Sequence, residues 1–243
     1  MVSFFRKIRQ VVSRLVVCCE KQAVVPLRRR DYDDRFSMTL REWIRRHQRE
    51  IVFDRVFWMG IPIQKNPLDT WIYQEIIYET QPDVIVEIGS RYGGSARYFA
   101  DILSLIGKGI VVTIDRNHSD FQVDHERITK LTGSSSDEDI LAQVREICWG
   151  KTVMVIQDGD HRKEQALTDL RNYSPLVSVG SYFIMEDGIV DLFHAGDGVG
   201  FSKEGPLAAV EAFMEKTGEF EIDMTRERYL VTYNPKGFLK RVR

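Results

Sequence analysis

Cysteine is scarce. The chain has 243 residues and three cysteines, Cys18, Cys19 and Cys148. No Cys-x-x-Cys pair or Cys/His ligand spacing occurs, which excludes a disulfide framework and argues against a structural zinc site. A reducing compartment is the expectation. Long apolar runs are missing as well. The longest, residues 15–19, falls far short of the ~20 residues that a membrane span needs. It is also short for the apolar region of a secretory signal, and no small-residue cleavage site stands behind it. A cytoplasmic protein is therefore expected. Nor does charge of one sign dominate: 34 Lys+Arg stand against 36 Asp+Glu, a net of −2. Without a protein-wide basic field, no nucleic-acid partner is expected. There is no internal repeat and no low-complexity stretch. What is present is ordinary for a globular chain, 43% hydrophobic and 29% charged residues, which excludes a mostly disordered protein.

The even charge balance hides an asymmetry. Residues 1–30 hold eight basic residues and a single acid, Glu20. Phe4, Phe5, Ile8, Val11, Val12, Leu15 and Val16 recur at helical spacing, with arginines on the other face. Two readings compete for this amphipathic helix. It packs on its own domain or on a second subunit in a homo-oligomer, or it lies on anionic lipid at the inner membrane surface. The expected organisation is this basic helix (1–30), a helical extension (31–80) and a third domain (81–243).

The extension holds a helix over Thr39 to Arg49, a turn at Gly60-Ile61-Pro62 and a helix over Pro67 to Thr80, ended by Pro82. From Asp83 onward the rhythm changes. Short apolar runs at 84–88, 110–114, 152–157 and 181–185 read as strands, and 128–131 as a weaker one. Helical patterns at 94–106, 137–149, 164–173 and 206–216 separate or follow them. Phe220 to Met224 and Tyr229 to Tyr233 read as two last strands, paired antiparallel. Alternating strands and helices predict an α/β protein with a mostly parallel, seven-stranded sheet covered on both faces.

Ligands of such sheets bind beyond the carboxyl ends of the strands. Those ends carry Glu87 with Gly89, Asp115, Asp158 with Asp160, and Glu186 with Asp187. One acid there is unremarkable as a cap or solvated turn, but four strands ending in acid predict a shared crevice. The loop Glu87-Ile88-Gly89-Ser90-Arg91-Tyr92-Gly93-Gly94 lacks the G-x-G-x-x-G fingerprint of dinucleotide binders. An acid beside its first glycine would repel pyrophosphate and suits a cationic amine. Asp115, 26 residues after Gly89, stands where a carboxylate takes both ribose hydroxyls. A ribose, an amine and no phosphate point to S-adenosylmethionine, with a nicotinamide dinucleotide as the second reading.

MGI (59–61), WIYQE (71–75), EIGSRYGGSARYFA (87–100), QDGDH (157–161), PLVSVGSYFIMEDG (175–188) and GPLAAVEAF (205–213) resemble the rhamnosyl O-methyltransferase/cephalosporin hydroxylase family over roughly residues 50–240. The resemblance implies a Rossmann-like class I methyltransferase fold, S-adenosylmethionine as methyl donor and a divalent metal such as Mg2+. It implies donor contacts from Glu87, Gly89, Ser90, Arg91, Tyr92, Gly93, Ser95, Asp115, Arg116, Ser134 and Asp158. Arg91 and Tyr92 would face the donor's carboxylate end, and Ser134 its adenine. Asp158, Glu186 and Asp187 would hold the metal, with Asp160 replacing or joining Asp158. His161 is the first candidate base and His194 the second. The sequence departs from the family pattern at Arg91, the central position of its E-x-G-x-G-x-G loop, and in the segment 189–204. The expected activity is O-methylation of a sugar hydroxyl on a glycolipid or natural product. The alternatives are a cephalosporin-hydroxylase-like protein of antibiotic methoxylation and a non-catalytic cofactor-binding scaffold.

Overall fold

The structure, a computed structural model, describes residues 29–193 and 204–243. The Phe4 to Val17 helix pattern and the candidate base His194 lie outside the described residues. The described residues divide into two compact units that part between Ile44 and Arg45. Helix α1 (Arg29–Phe36) is followed by α2 (Leu40–Arg46). A reciprocal cap starts α2: Thr39 N–H and Oγ1 both donate to Glu42 Oε2, and Glu42 N–H donates back to Thr39 Oγ1. The chain then winds through a π-helical stretch, His47–Val52. A two-stranded hairpin follows, β1 (Phe57–Trp58) and β2 (Ile61–Pro62), turned at Met59-Gly60. Asn66 caps α3 (Pro67–Thr80) by accepting from Leu68 N–H, and Pro67 supplies the first-turn φ.

The main sheet contains β3 (Val84–Ile88), β4 (Ile110–Asp115), β5 (Ile128–Thr132), β6 (Val153–Gln157), β7 (Tyr182–Met185), β8 (Phe220–Ile222) and β9 (Phe238–Arg241). Their spatial order is β5-β4-β3-β6-β7-β9-β8. The first five are parallel, and β9 runs antiparallel to both β7 and β8. Helices α4 (Gly94–Ile106), α5 (Glu138–Cys148), α6 (Lys163–Tyr173) and α7 (Pro206–Met214) complete the unit.

Strand periodicity sorts the core into two layers. Val84, Val86 and Ile88 of β3 pack with Val144 of α5, Leu170 of α6 and Val210 of α7. Ile85, between them, packs on the opposite face with Ile76 of α3 and Phe99 and Leu103 of α4. All five residues of β3 are buried, as befits a central strand covered on both sides. Each fully buried valine or isoleucine contributes roughly 1.5–3 kcal/mol. Strand order reverses between β3 and β6, and a crevice opens beyond such a switch point.

One expected strand is corrected. Residues 229–233 are irregular, and the last strand is β9. Asp69, at the start of α3, takes the backbone N–H of Tyr233 at 2.8 Å, so this donor is not available to a ladder, and it also accepts from the Thr232 hydroxyl at 2.7 Å. Leu230 is also left-handed, with φ 69°, far from the backbone of a regular strand. Strand β8 stops at Ile222 because Asp223 caps the following turn through Thr225 N–H.

Candidate active site

The β3 and β6 ends bring two backbones into contact. Asp158 N–H donates to Ile88 O at 2.8 Å. A Cβ on Gly89 would stand 2.1 Å from Asp158 O, and its φ is +91°, so only glycine fits here. The next two amides, Ser90 N–H and Arg91 N–H, each donate to Asp115 Oδ2 at 3.0 Å. Asn117 N–H donates to Oδ1 at 3.1 Å. Burial pushes the Asp115 carboxyl up, but these amides outweigh it and hold it below the usual carboxylate range. Asp115 therefore organises the loop as well as facing the crevice. Arg91 adopts φ 41°, the left-handed backbone that a glycine would adopt without strain. Its guanidinium lies 4.9 Å from the Tyr92 ring centre and donates to Gln64 Oε1 at 3.0 Å.

These groups line a cavity of about 510 Å3. Gly89, Ser90, Arg91, Tyr92, Ser95, Asp115 and Arg116 are in its wall. So are Asp158, Asp160, His161 and Asp187. Four of the candidate residues are not. Glu87 lies wholly buried beneath the loop, accepting from Thr113 Oγ1 at 2.6 Å. Burial pushes its carboxyl up to about 7. Gly93 is covered by the Phe121 ring. Ser134 is spent on its own turn, with N–H donating to Asp137 and Oγ accepting from Ser136 N–H. Its neighbour Ser135 lines the cavity instead and donates to Asp169 Oδ1 at 2.7 Å. The fourth is Glu186.

The acids divide sharply. Ligand atoms of Asp158, His161 and Asp187 all lie within 4.8 Å of one another. His161 Nε2 is 3.3 Å from Asp187 Oδ2. Asp160 faces away to Arg162, with Oδ1 2.9 Å from Nε, and that guanidinium holds its carboxyl down. Glu186 Oε2 meets Lys65 Nζ at 2.6 Å, and the same ammonium is 2.7 Å from Asp158 Oδ2. Burial alone would push Lys65 down. The carboxylates of Asp158, Glu186 and Glu87 outweigh it and keep the lysine charged. Burial followed by repulsion from Asp158 raises Glu186, and burial raises Asp187. The other Glu186 oxygen, Oε1, is buried with no hydrogen-bond partner among the described residues. Together these features define a site short of positive charge. Two carboxylates and an imidazole converge in it, a donor set that fits a divalent cation.

Three residues escape the sequence reading: Lys65, Gln64 and Asn234. Asn234 Oδ1 accepts from Asp187 N–H at 3.1 Å, and its Nδ2 donates to Tyr73 OH at 2.6 Å. It pins Asp187, whose φ is 57°. Asn234-Pro235 is a turn signal that marks the place but not the role.

Seven strands in this order, with a polar crevice at the switch point, define a Rossmann-like protein of the class I methyltransferase fold. The chain belongs to the rhamnosyl O-methyltransferase/CmcI family, whose sequence model matches residues 50–242. Rhamnosyl O-methyltransferase of Mycobacterium tuberculosis (strain H37Rv) is 33% identical over 199 residues, 79% of this chain and 80% of that protein. Its namesake in Mycobacterium leprae is 32% identical over 197 residues, 78% and 85% of the two chains. A solved structure of CmcI with Mg and SAM superposes with a TM-score of 0.61 at 24% identity, covering 90% of this chain and 89% of that one. Apo CmcI gives 0.60 at 24% identity, covering 77% and 76%.

Proposed function

We propose that this chain is an S-adenosylmethionine- and Mg2+-dependent O-methyltransferase acting on a sugar hydroxyl, a rhamnosyl-like unit of a glycolipid or natural product. The carrying observation is the convergence of Asp158, His161 and Asp187 in the cavity that Asp115 and the Gly89 loop also line. The curated relatives bear the name of that reaction, which supports the sugar acceptor. Asp158 and Asp187 would hold the ion, and Asp115 with the Ser90–Tyr92 loop would hold the donor. When bound, the ion supplies a Lewis acid that eases loss of the acceptor's hydroxyl proton, and the donor supplies an electrophilic methyl group.

The chain's own residues do the rest. His161 receives the acceptor proton at Nε2. Asp187 Oδ2, 3.3 Å from that nitrogen, accepts the hydrogen bond from the ring once the proton has arrived. Asn234 fixes Asp187 from behind through the backbone. The loop and Asp115 set donor against acceptor, and this positioning supplies much of the rate. The test is incubation with S-adenosylmethionine and a rhamnoside, read by mass spectrometry for one added methyl group. Chelator should abolish turnover and Mg2+ restore it. Asp187→Ala should lose turnover while keeping donor affinity. Full activity in chelator would show that the acids are structural.

A further inference from the structure

Lys65 is the least expected residue in the site. It is 3% exposed, although lysine is almost never fully buried unless paired. It reaches the cluster from the N-terminal side of the unit, 93 residues from Asp158 and 121 from Glu186. The side chains of both its chain neighbours are anchored. Gln64 accepts from Arg91, and Asn66 caps α3 while donating to Asp69 Oδ2 at 2.9 Å. The ammonium is thus placed by the fold and not by chance extension of a long side chain. It bridges one oxygen of Asp158 and one of Glu186, and so keeps Glu186 out of the group formed by Asp158, His161 and Asp187.

We propose that Lys65 is the resident cation of the site: it positions Asp158 and withholds Glu186, and its fixed charge weakens the hold on a divalent ion. This rests on the metal-dependent reading above. A carboxylate pair half neutralised by an ammonium attracts an incoming cation less than a bare pair, and two cations a few ångströms apart repel each other. A site so tuned binds its ion loosely and keeps its acids ordered while empty. Without Lys65, Asp158 and Glu186 would face each other bare, and Glu186 would be released to join the ion's ligands.

The test uses the full-length protein with Mn2+ as the probe, its affinity measured by paramagnetic resonance and calorimetry, alongside thermal melts in chelator. Lys65→Met should bind Mn2+ roughly tenfold tighter or more. In chelator the variant should melt below the wild type, and adding Glu186→Gln should recover part of the loss. A role confined to packing predicts the opposite sign, unchanged or weaker Mn2+ binding. If wild type binds Mn2+ and Lys65→Met binds it no tighter, the proposal falls and the methyltransferase reading stands. If neither binds Mn2+, the metal reading falls and the proposal with it. Should Lys65→Met fail to fold, Lys65→Gln keeps a donor, drops the charge and carries the same expectation.

Discussion

Glu87 and Asp115 are both acids at strand ends, yet the fold uses them in opposite ways. Asp115 is ionised by three backbone donors in the cavity wall, whereas Glu87 is buried beneath the loop and pushed up to about 7. Glu87 therefore keeps its proton in the fold over a range where the unfolded chain, with its ordinary value of 4.5, has lost it. Its contribution favours the fold most below about pH 4.5 and is lost as pH rises through 7. Glu87→Gln should remove that slope. Urea titrations without ion or donor should show the variant gaining on the wild type between pH 5 and 7.5, by up to about 3 kcal/mol. Parallel pH profiles would refute the burial argument. Asp115→Ala should weaken S-adenosylmethionine binding by about 2 kcal/mol or more, because it removes both a donor contact and the anchor of Ser90 and Arg91. Calorimetry on the folded variant checks this. Acids were legible because a short apolar run ending in Asp or Glu marks a strand end. Their division of labour was not: that of Glu87 and Asp115 depends on burial and backbone amides, and that of Asp158 and Glu186 on Lys65, and an isolated lysine in sequence reads as a surface residue.

The segment that carries Lys65 crosses the start of α4, and one missing side chain makes this possible. A Cβ on Gly94 would stand 2.2 Å from Pro62 O and 2.8 Å from Ile63 Cα. Alanine favours a helix over glycine by about 1 kcal/mol, but backbone overlap at that distance is the larger effect. Gly94→Ala should lower the melting temperature and loosen the 61–65 segment, with loss of turnover. Gly218→Ala, where nothing lies within 4 Å, is the control and should be neutral. A Gly94→Ala protein as stable as the wild type would show that the segment yields freely. Four of the five parallel strands were legible because each is a short apolar run bounded by turn signals, whereas β5, Ile-Thr-Lys-Leu-Thr, gave a weaker signal. Strand β9 was missed because Phe-Leu-Lys-Arg is brief and half charged, and because Tyr229–Tyr233 looks more like a strand. What decides between them is Asp69, 163 residues from Thr232, a tertiary contact that no local pattern encodes.

Taken whole, the chain places its family region and its strongest charge in different parts. The family match begins at residue 50, while residues 1–30 hold eight basic residues and one acid. Among the described residues no helix is long and apolar enough to cross a membrane. The sequence pattern of residues 4–16 would put apolar side chains on one face and arginines on the other, as interfacial helices do. Each basic residue near an anionic surface contributes about 1 kcal/mol, a term that falls within a Debye length and weakens with salt. Full-length protein should therefore co-sediment with anionic vesicles at low salt, and less so as salt rises. Neutral vesicles should retain little. A chain lacking residues 1–30 should stay folded, methylate a water-soluble rhamnoside as the full chain does, and stay in the supernatant. A lipid-borne sugar would then be methylated far more slowly by the truncated chain, because docking no longer concentrates the enzyme at its acceptor. If truncation instead unfolds the protein or splits an oligomer, and the full chain also ignores anionic vesicles, the segment packs against protein and membrane docking is ruled out.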